Sequence, residues 1–178
     1  MAPPIRDLDA RTVRWAMIDV LFEQHVIQNT GLAAETIWQA VYEAYDAKGR
    51  AEGVPFALVF LVLPLAFHQR SASTLASKTQ PGALYKALAD DREITVGLQA
   101  RMQALADRTF QALSIAFQTG LLNLDSGPTR DVFPGKKTPP VTHVTEEVKI
   151  ILNAAKRVGQ SFAEMNAVQL AVHLNIRF

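Results

Sequence analysis

The run VPFALVFLVLPLAFHQR, Val54–Arg70, constrains this chain more than any other: it is apolar almost throughout and carries a proline near its end. Its apolar part, Val54–Phe67, is 14 residues long, whereas a helix needs about 20 to cross a bilayer. No second apolar stretch follows His68, Gln69 and Arg70 to complete a span. A segment apolar on every side but too short to cross a membrane is buried within protein. The run therefore predicts a central buried helix with other helices packed around it. Pro55 fits the first turn, where a missing N–H costs nothing. Pro64 removes an interior hydrogen bond and is expected to kink or end the helix. His68, at the polar end, is expected to satisfy a carbonyl that Pro64 frees.

The flanking segments have the three- and four-residue spacing of amphipathic helices. Residues 6–47 read as two helices. Val13, Met17, Val20 and Leu21 mark the first, QNTG with Gly31 breaks it, and Ile37, Val41 and Tyr45 mark the second, with Trp38 and Tyr42 beside them. Ser71–Gly82 has the composition of a loop, and ALYKALA reads as a short helix after it. Asp90 or Asp91 then caps a helix over 92–106 whose face is Ile94, Leu98, Met102 and Leu105. Asp107 caps another over 107–119, with Phe110, Leu113 and Phe117, which stops at Gly120. The period then shortens. Leu121–Leu124 and Val132–Phe133 around a Ser-Gly-Pro turn predict a small β-hairpin. A proline-rich linker, 136–143, leads to a helical stripe of Val144, Val148, Ile151, Leu152, Ala155, Val158 and Phe162. Asn166 and Gln169 form a capping-box pattern for a last short helix.

The expected fold is thus mainly α: a helical bundle around the buried central helix, a winged-helix-like helix-helix-hairpin segment at about 90–135, and a C-terminal helical pair. The expected organisation is a helical domain over 1–135, the linker, and C-terminal helices over 144–178 that pack on the same core. A chain of 178 residues has room for one such core.

The residues offer little for catalysis. There is no cysteine, hence no disulfide, thiolate metal site or cysteine nucleophile. The four histidines, His25, His68, His143 and His173, lie far apart, with no His-Glu-x-x-His pattern. The acidic cluster Asp90, Asp91, Glu93 has the oxygen chemistry for a divalent cation, but a capped helix start already accounts for it. No glycine-rich phosphate loop and no Gly-x-Ser-x-Gly elbow is present. These observations point away from an enzyme and imply no cofactor and no metal. The N-terminus lacks the apolar core of a secretory signal, and a cytoplasmic protein is expected. A net charge of +1 gives no whole-chain field for nucleic acid, so a contact with DNA would have to come from a local patch. The candidates are Arg130, Lys136 and Lys137 on or just after the hairpin and Arg108 at the start of the preceding helix. That helix offers base edges only Gln111, Ser114, Gln118 and Thr119, so contact with protein is at least as well supported as contact with DNA.

Three pieces carry a family resemblance: FALVFLVLPLAFHQR, then FQALSIAFQTGLLNLD, then AAKRVGQSFAEM. Together they resemble the middle component of bacterial three-component ABC-ATPase systems, the small subunit of Lamassu-type antiphage defence. The matching positions are Leu63, Pro64, Leu65 and His68; Gly120, Leu121 and Leu122; and Ala155, Lys156, Gly159 and Phe162. Gln160 and Ser161 depart from the family pattern, which often has Arg-Trp there. The resemblance implies an accessory subunit without catalysis of its own, bridging an SMC- or Rad50-like ATPase that senses DNA and an effector, commonly a nuclease. Contact with DNA through the complex is a further expectation, and the length of the apolar run leaves no membrane contact expected.

Overall fold

A computed structural model describes residues 29–128, 130–135, 137–139 and 145–178. The stripe through Val13, Met17, Val20 and Leu21, and likewise His25, Lys136, His143 and Val144, lie outside the described residues. The elements, in order, are α1 (Thr30–Ala47), β1 (Val54–Pro55), α2 (Phe56–Val59), α3 (Val62–Ala66), α4 (Gln69–Ala76) and α5 (Ala83–Asp90). A 3-10 turn (Arg92–Thr95), α6 (Leu98–Ala104), α7 (Ala106–Thr119), β2 (Leu122–Leu124), β3 (Asp131–Pro134), α8 (Glu146–Glu164) and α9 (Ala167–Leu174) follow. The fold is mainly α.

The apolar run is buried as expected, but it is not one helix. Val54 and Pro55 are extended and pair with Val132 and Asp131. Pro55 is tolerated there because β1 is an edge strand in a sheet ordered β1-β3-β2. The helix that starts at Phe56 ends at Phe60, one turn before Pro64 rather than at it. The reason is the proline: without an N–H it cannot bond the carbonyl of Phe60, and its ring would strike that carbonyl. The chain tightens instead, with Leu61 N–H donating to Leu58 C=O at 3.0 Å, and restarts so that Pro64 sits in the first turn of α3. Leu58, Val59, Leu61, Val62, Leu63 and Leu65 are all at most 1% exposed. At about 1.5–3 kcal/mol for each such side chain removed from water, this broken segment anchors the core.

Four boundaries also differ from expectation. Gly31 lies in the first turn of α1, which Asn29 caps through Leu32 N–H at 2.9 Å. Ser71–Ala76, the start of the stretch read as loop, belongs to helix α4, where Thr74 Oγ1 donates back to Arg70 C=O, Ser77 Oγ at the cap donates to Thr74 C=O, and Ala72 and Leu75 are buried. The helix expected over 92–106 is split at Gly97, whose φ of 68° breaks the α-helical geometry. Asp107 lies inside the first turn of α7, and Leu105 occupies the cap position. Asp91 does cap, accepting from Glu93 N–H at 3.1 Å, and the Asn166–Gln169 capping box is formed.

The long α8 is the organising partner. It packs against α1, α3, α4 and α5, and its buried row of Ile151, Ala154, Ala155, Val158 and Phe162 joins the same core as the apolar run. α1 presents small residues, Ala33, Ala40 and Ala44, to its neighbours. The helices therefore approach closely, and Gly159 on α8 faces the backbone of Ala40.

Candidate partner-binding site

The hairpin forms where expected, with Leu122 opposite Pro134 and Leu124 opposite Val132. Asp125 closes its loop by accepting from Gly127 N–H at 3.2 Å and Asp131 N–H at 2.9 Å. Arg130 is exposed at the loop's end, with its φ at 47°. Lys137 is also exposed, and its side chain lies over Gly120 at the end of α7. Arg108, by contrast, is tied down: its Nη1 donates to Thr30 Oγ1 at 2.6 Å and to Gln111 Oε1 at 3.3 Å, joining α7 to the start of α1. The candidate base readers are also spent locally. Gln118 Nε2 donates to Ser114 Oγ, and Thr119 Oγ1 to Ile115 C=O.

α7 buries Thr109, Ala112, Leu113 and Ala116 against its neighbours, chiefly α1. Phe110, expected on that inner stripe, is instead 54% exposed, and Ile115 is 39% exposed. Small residues on the inner row bring α1 close, and this leaves no room for a phenyl ring between the helices. Phe110 leans on Phe60 (ring centroids 5.0 Å apart) and Phe56 (6.4 Å), while Phe56 and Phe60 meet edge to face at 5.6 Å. The result is a half-covered aromatic patch on α7 and α2. A patch of this kind is the usual mark of a partner surface. Its sequence signal was present: Phe110 sits one position off the 109, 112, 113, 116 row.

The family-motif positions turn out to hold the fold together. Leu63, Leu65 and Leu122 are at most 1% exposed and Phe162 is 3% exposed. Leu121 is half-buried against the core. Gly120 ends α7 with φ at 76°. Lys156 pairs with Glu43 on α1 at 3.2 Å.

His68 is not bound to a carbonyl freed by Pro64; it caps α4. Its side chain accepts from Ser71 N–H, and its Nδ1 lies 2.8 Å from Ser71 Oγ, at the corner where the run turns by 99° into α4. Burial, then the nearby Arg101 and Arg70, push its pKa below the ordinary histidine value, against the opposing pull of Asp91. Because the folded pKa lies below the unfolded one, the unfolded chain takes the proton first. The stability His68 contributes is therefore full above the unfolded pKa and is lost as pH falls through the folded pKa. Denaturant unfolding of wild type and His68→Asn between pH 7.5 and 5 should show this: asparagine keeps the cap, and the variant loses stability less steeply with acid.

The acidic cluster is engaged in ion pairs. Arg70 binds Asp91 and Glu93, and Lys78 binds Asp90. Among the described residues, no group of three metal-ligating side chains is poised around a cation. His173 is hydrogen-bonded to the Tyr85 hydroxyl at 2.6 Å. No single helix among the described residues is long and apolar enough to cross a membrane.

The model of the ABC-three component (ABC-3C) system Middle Component 3 family, MC3, matches residues 17–178. The chain belongs to this family. No curated protein and no solved structure matches it. The MC3 match runs through α1, the apolar run, α7, the hairpin and α8, so the aromatic patch lies within it. As a middle component, MC3 works alongside the other components of a three-component ABC system.

Proposed function

We propose that this MC3 protein is a non-catalytic adaptor joining an SMC- or Rad50-like ABC ATPase to an effector nuclease in a cytoplasmic, Lamassu-like defence against phage or plasmid DNA. The described helices before the hairpin and the C-terminal helices act in it as one body, since α8 packs on α1, α3, α4 and α5. The observation that carries the reading is the Phe56, Phe60, Phe110 patch. It is aromatic, partly exposed and without a lysine or arginine on α7 other than the engaged Arg108. Such a surface suits an apolar partner helix better than a phosphate backbone.

The test is co-expression of the native three components with tagged wild type, Phe110→Ser and Phe110→Ser/Ile115→Ser. Wild type should bring down the ATPase component, and the double variant at least about tenfold less of it, the usual loss for an anchor residue. Both side chains are substantially exposed, so the melting curves should change little. Full capture by the double variant would remove the patch from the interface. Failure of wild type to capture any component would sink the adaptor reading.

One observation favours a second reading, a winged-helix DNA contact. The strand preceding the helices pairs beside the hairpin in the order β1-β3-β2, with Arg130 and Lys137 exposed at its end. A salt-dependent shift of duplex DNA, lost in Lys136→Ala/Lys137→Ala, would support it; no shift at low salt would dismiss it.

A further inference from the structure

The two most exposed large apolar side chains among the described residues stand one turn apart on the same short helix, α9: Val172 is 74% exposed and Val168 72%. With Ala171, Ile176 and Phe178 they line a cleft of about 510 Å³ in which Asn175 is the one polar side chain. We propose that residues 11–27 of the same chain, RTVRWAMIDVLFEQHVI, lie in this cleft as a helix and close it in cis. The proposal does not depend on the adaptor reading.

The lining selects the kind of occupant. An apolar wall without a charged group suits an apolar face, not a phosphate or a carboxylate. Its size then decides between a second copy and a segment of the same chain. Two turns of one helix and one phenylalanine fall well short of the ~800 Å² per partner that a stable dimer buries. A tethered segment escapes that requirement, because the connection raises its effective concentration to about the millimolar range.

The sequence supplies such a segment at a suitable place. Residues 1–28 lie outside the described residues, and their sequence carries the stripe Val13, Met17, Val20 and Leu21. An amphipathic helix draws its stability from burying that face against a neighbour. At 1.5 Å per residue, residues 11–27 span about 25 Å, against about 12 Å for α9. The chain enters the described fold at Asn29, the cap of α1. Arg108 holds the next residue, Thr30, to the first turn of α7 at 2.6 Å. The cleft on α9 reaches toward the same corner. Arg177 N–H donates to Gln99 Oε1 at 2.8 Å, and Gln103 lines an adjoining cleft with Asn175 and Ile176. Both glutamines are on α6, which leads through Leu105 into α7. The end of the segment nearest Asn29 therefore meets the Asn175 end of the cleft, and its earlier residues extend toward Val168. The two helices then run parallel, with Met17 near Val168 and Leu21 near Val172.

The chain has no cysteine of its own, so paired substitutions in the full-length protein report proximity directly. Met17→Cys/Val168→Cys and Leu21→Cys/Val172→Cys should each close an intrachain disulfide under mild oxidation, which requires Cβ atoms about 3.5–4.5 Å apart. Asp19→Cys/Val172→Cys, from the far side of the stripe, should not, and neither should Leu21→Cys/Ile150→Cys, whose second site is an exposed residue of α8. The linked species should run as a monomer on a non-reducing gel at every protein concentration. In a separate variant, Val20→Ser/Leu21→Ser should quicken amide exchange across α9 and leave α8 protected. Disulfides formed only between chains, linkage to Ile150 as fast as to Val172, no linkage from either stripe position, or unchanged exchange of α9 would each overturn the proposal. None of these outcomes alters capture of a partner component by wild type, which remains the separate test of the adaptor reading.

Discussion

Gly159→Ala is expected to destabilise this protein by about 3 kcal/mol, at the upper end of what overpacking a helix interface costs. In a chain of this size, that lowers the thermal midpoint by roughly 6–12 °C. A Cβ built on Gly159 would lie 2.8 Å from the carbonyl carbon of Ala40 and 2.9 Å from its Cα, and nearer still to its oxygen. Those are backbone atoms of α1, so no rotamer change relieves the clash, and α1 and α8, the two longest helices among the described residues, must move apart. Separating them would loosen Ile37, Ala40, Val41 and Ala44 on one side and Ala155, Val158 and Phe162 on the other. The accompanying expectation is sharper: Ala40→Gly in the same chain should not rescue the variant, because it removes a methyl group and leaves the obstructing carbonyl in place. Urea unfolding of the single and double variants measures both. A Gly159→Ala protein as stable as wild type would mean that the α1–α8 crossing is not as close as the structure has it.

Gly159 also illustrates what the sequence made legible and what it left hidden. The α8 stripe was readable because Ile151, Ala155, Val158 and Phe162 recur at helical spacing, and the capping box at Asn166 and the stop at Gly120 follow from local chemistry alone. The hairpin was readable from the change of period around Ser126–Pro128. Tertiary choices were hidden. Nothing local says that Gly159 faces a carbonyl on α1, or that Val54 and Pro55 leave the apolar run to pair with Val132 and Asp131. The proline's effect was foreseeable in kind but placed a turn late, because the bond it forbids belongs to the carbonyl four residues earlier. Ser71–Ala76 looked like a loop because serine and threonine favour turns, yet His68 supplied a cap and α8 a surface to pack on. The candidate site fared worst. Arg108 was named for its charge and is committed to Thr30. Phe110 was assigned to the core because it is apolar, and it is exposed because Thr109, Ala112 and Ala116 already hold the inner row. Composition ranks residues by what they can do, and packing decides which of them remain free to do it.

Gly135→Ala tests the other tight approach, the one that sets the hairpin against α7. Its Cβ would fall 2.8 Å from the carbonyl carbon of Gly120 and 3.0 Å from that of Leu121, where Gly135 N–H donates to Leu121 C=O at 2.6 Å. The clash is again with backbone, but it lies at the rim, where one strand can peel away without opening the core. The expected cost is therefore smaller, about 2 kcal/mol, and its signature differs. Amide exchange should quicken at Leu122, Leu124, Val132 and Phe133, while the amides of α8 keep their wild-type protection. Gly120→Ala gives a comparison at the same joint. There the strain is conformational, a β-carbon at φ 76°, worth about 1–2 kcal/mol, and it should fray the end of α7 before it disturbs the strands. The pair also separates two roles for the hairpin. If it serves only to cover Leu122 and Val132, Gly135→Ala should leave capture of partner components unchanged at temperatures where the variant is folded. If the hairpin's position against α7 is part of the docking surface, capture should fall while the helical core remains intact. That second outcome would extend the docking surface from α7 to the hairpin.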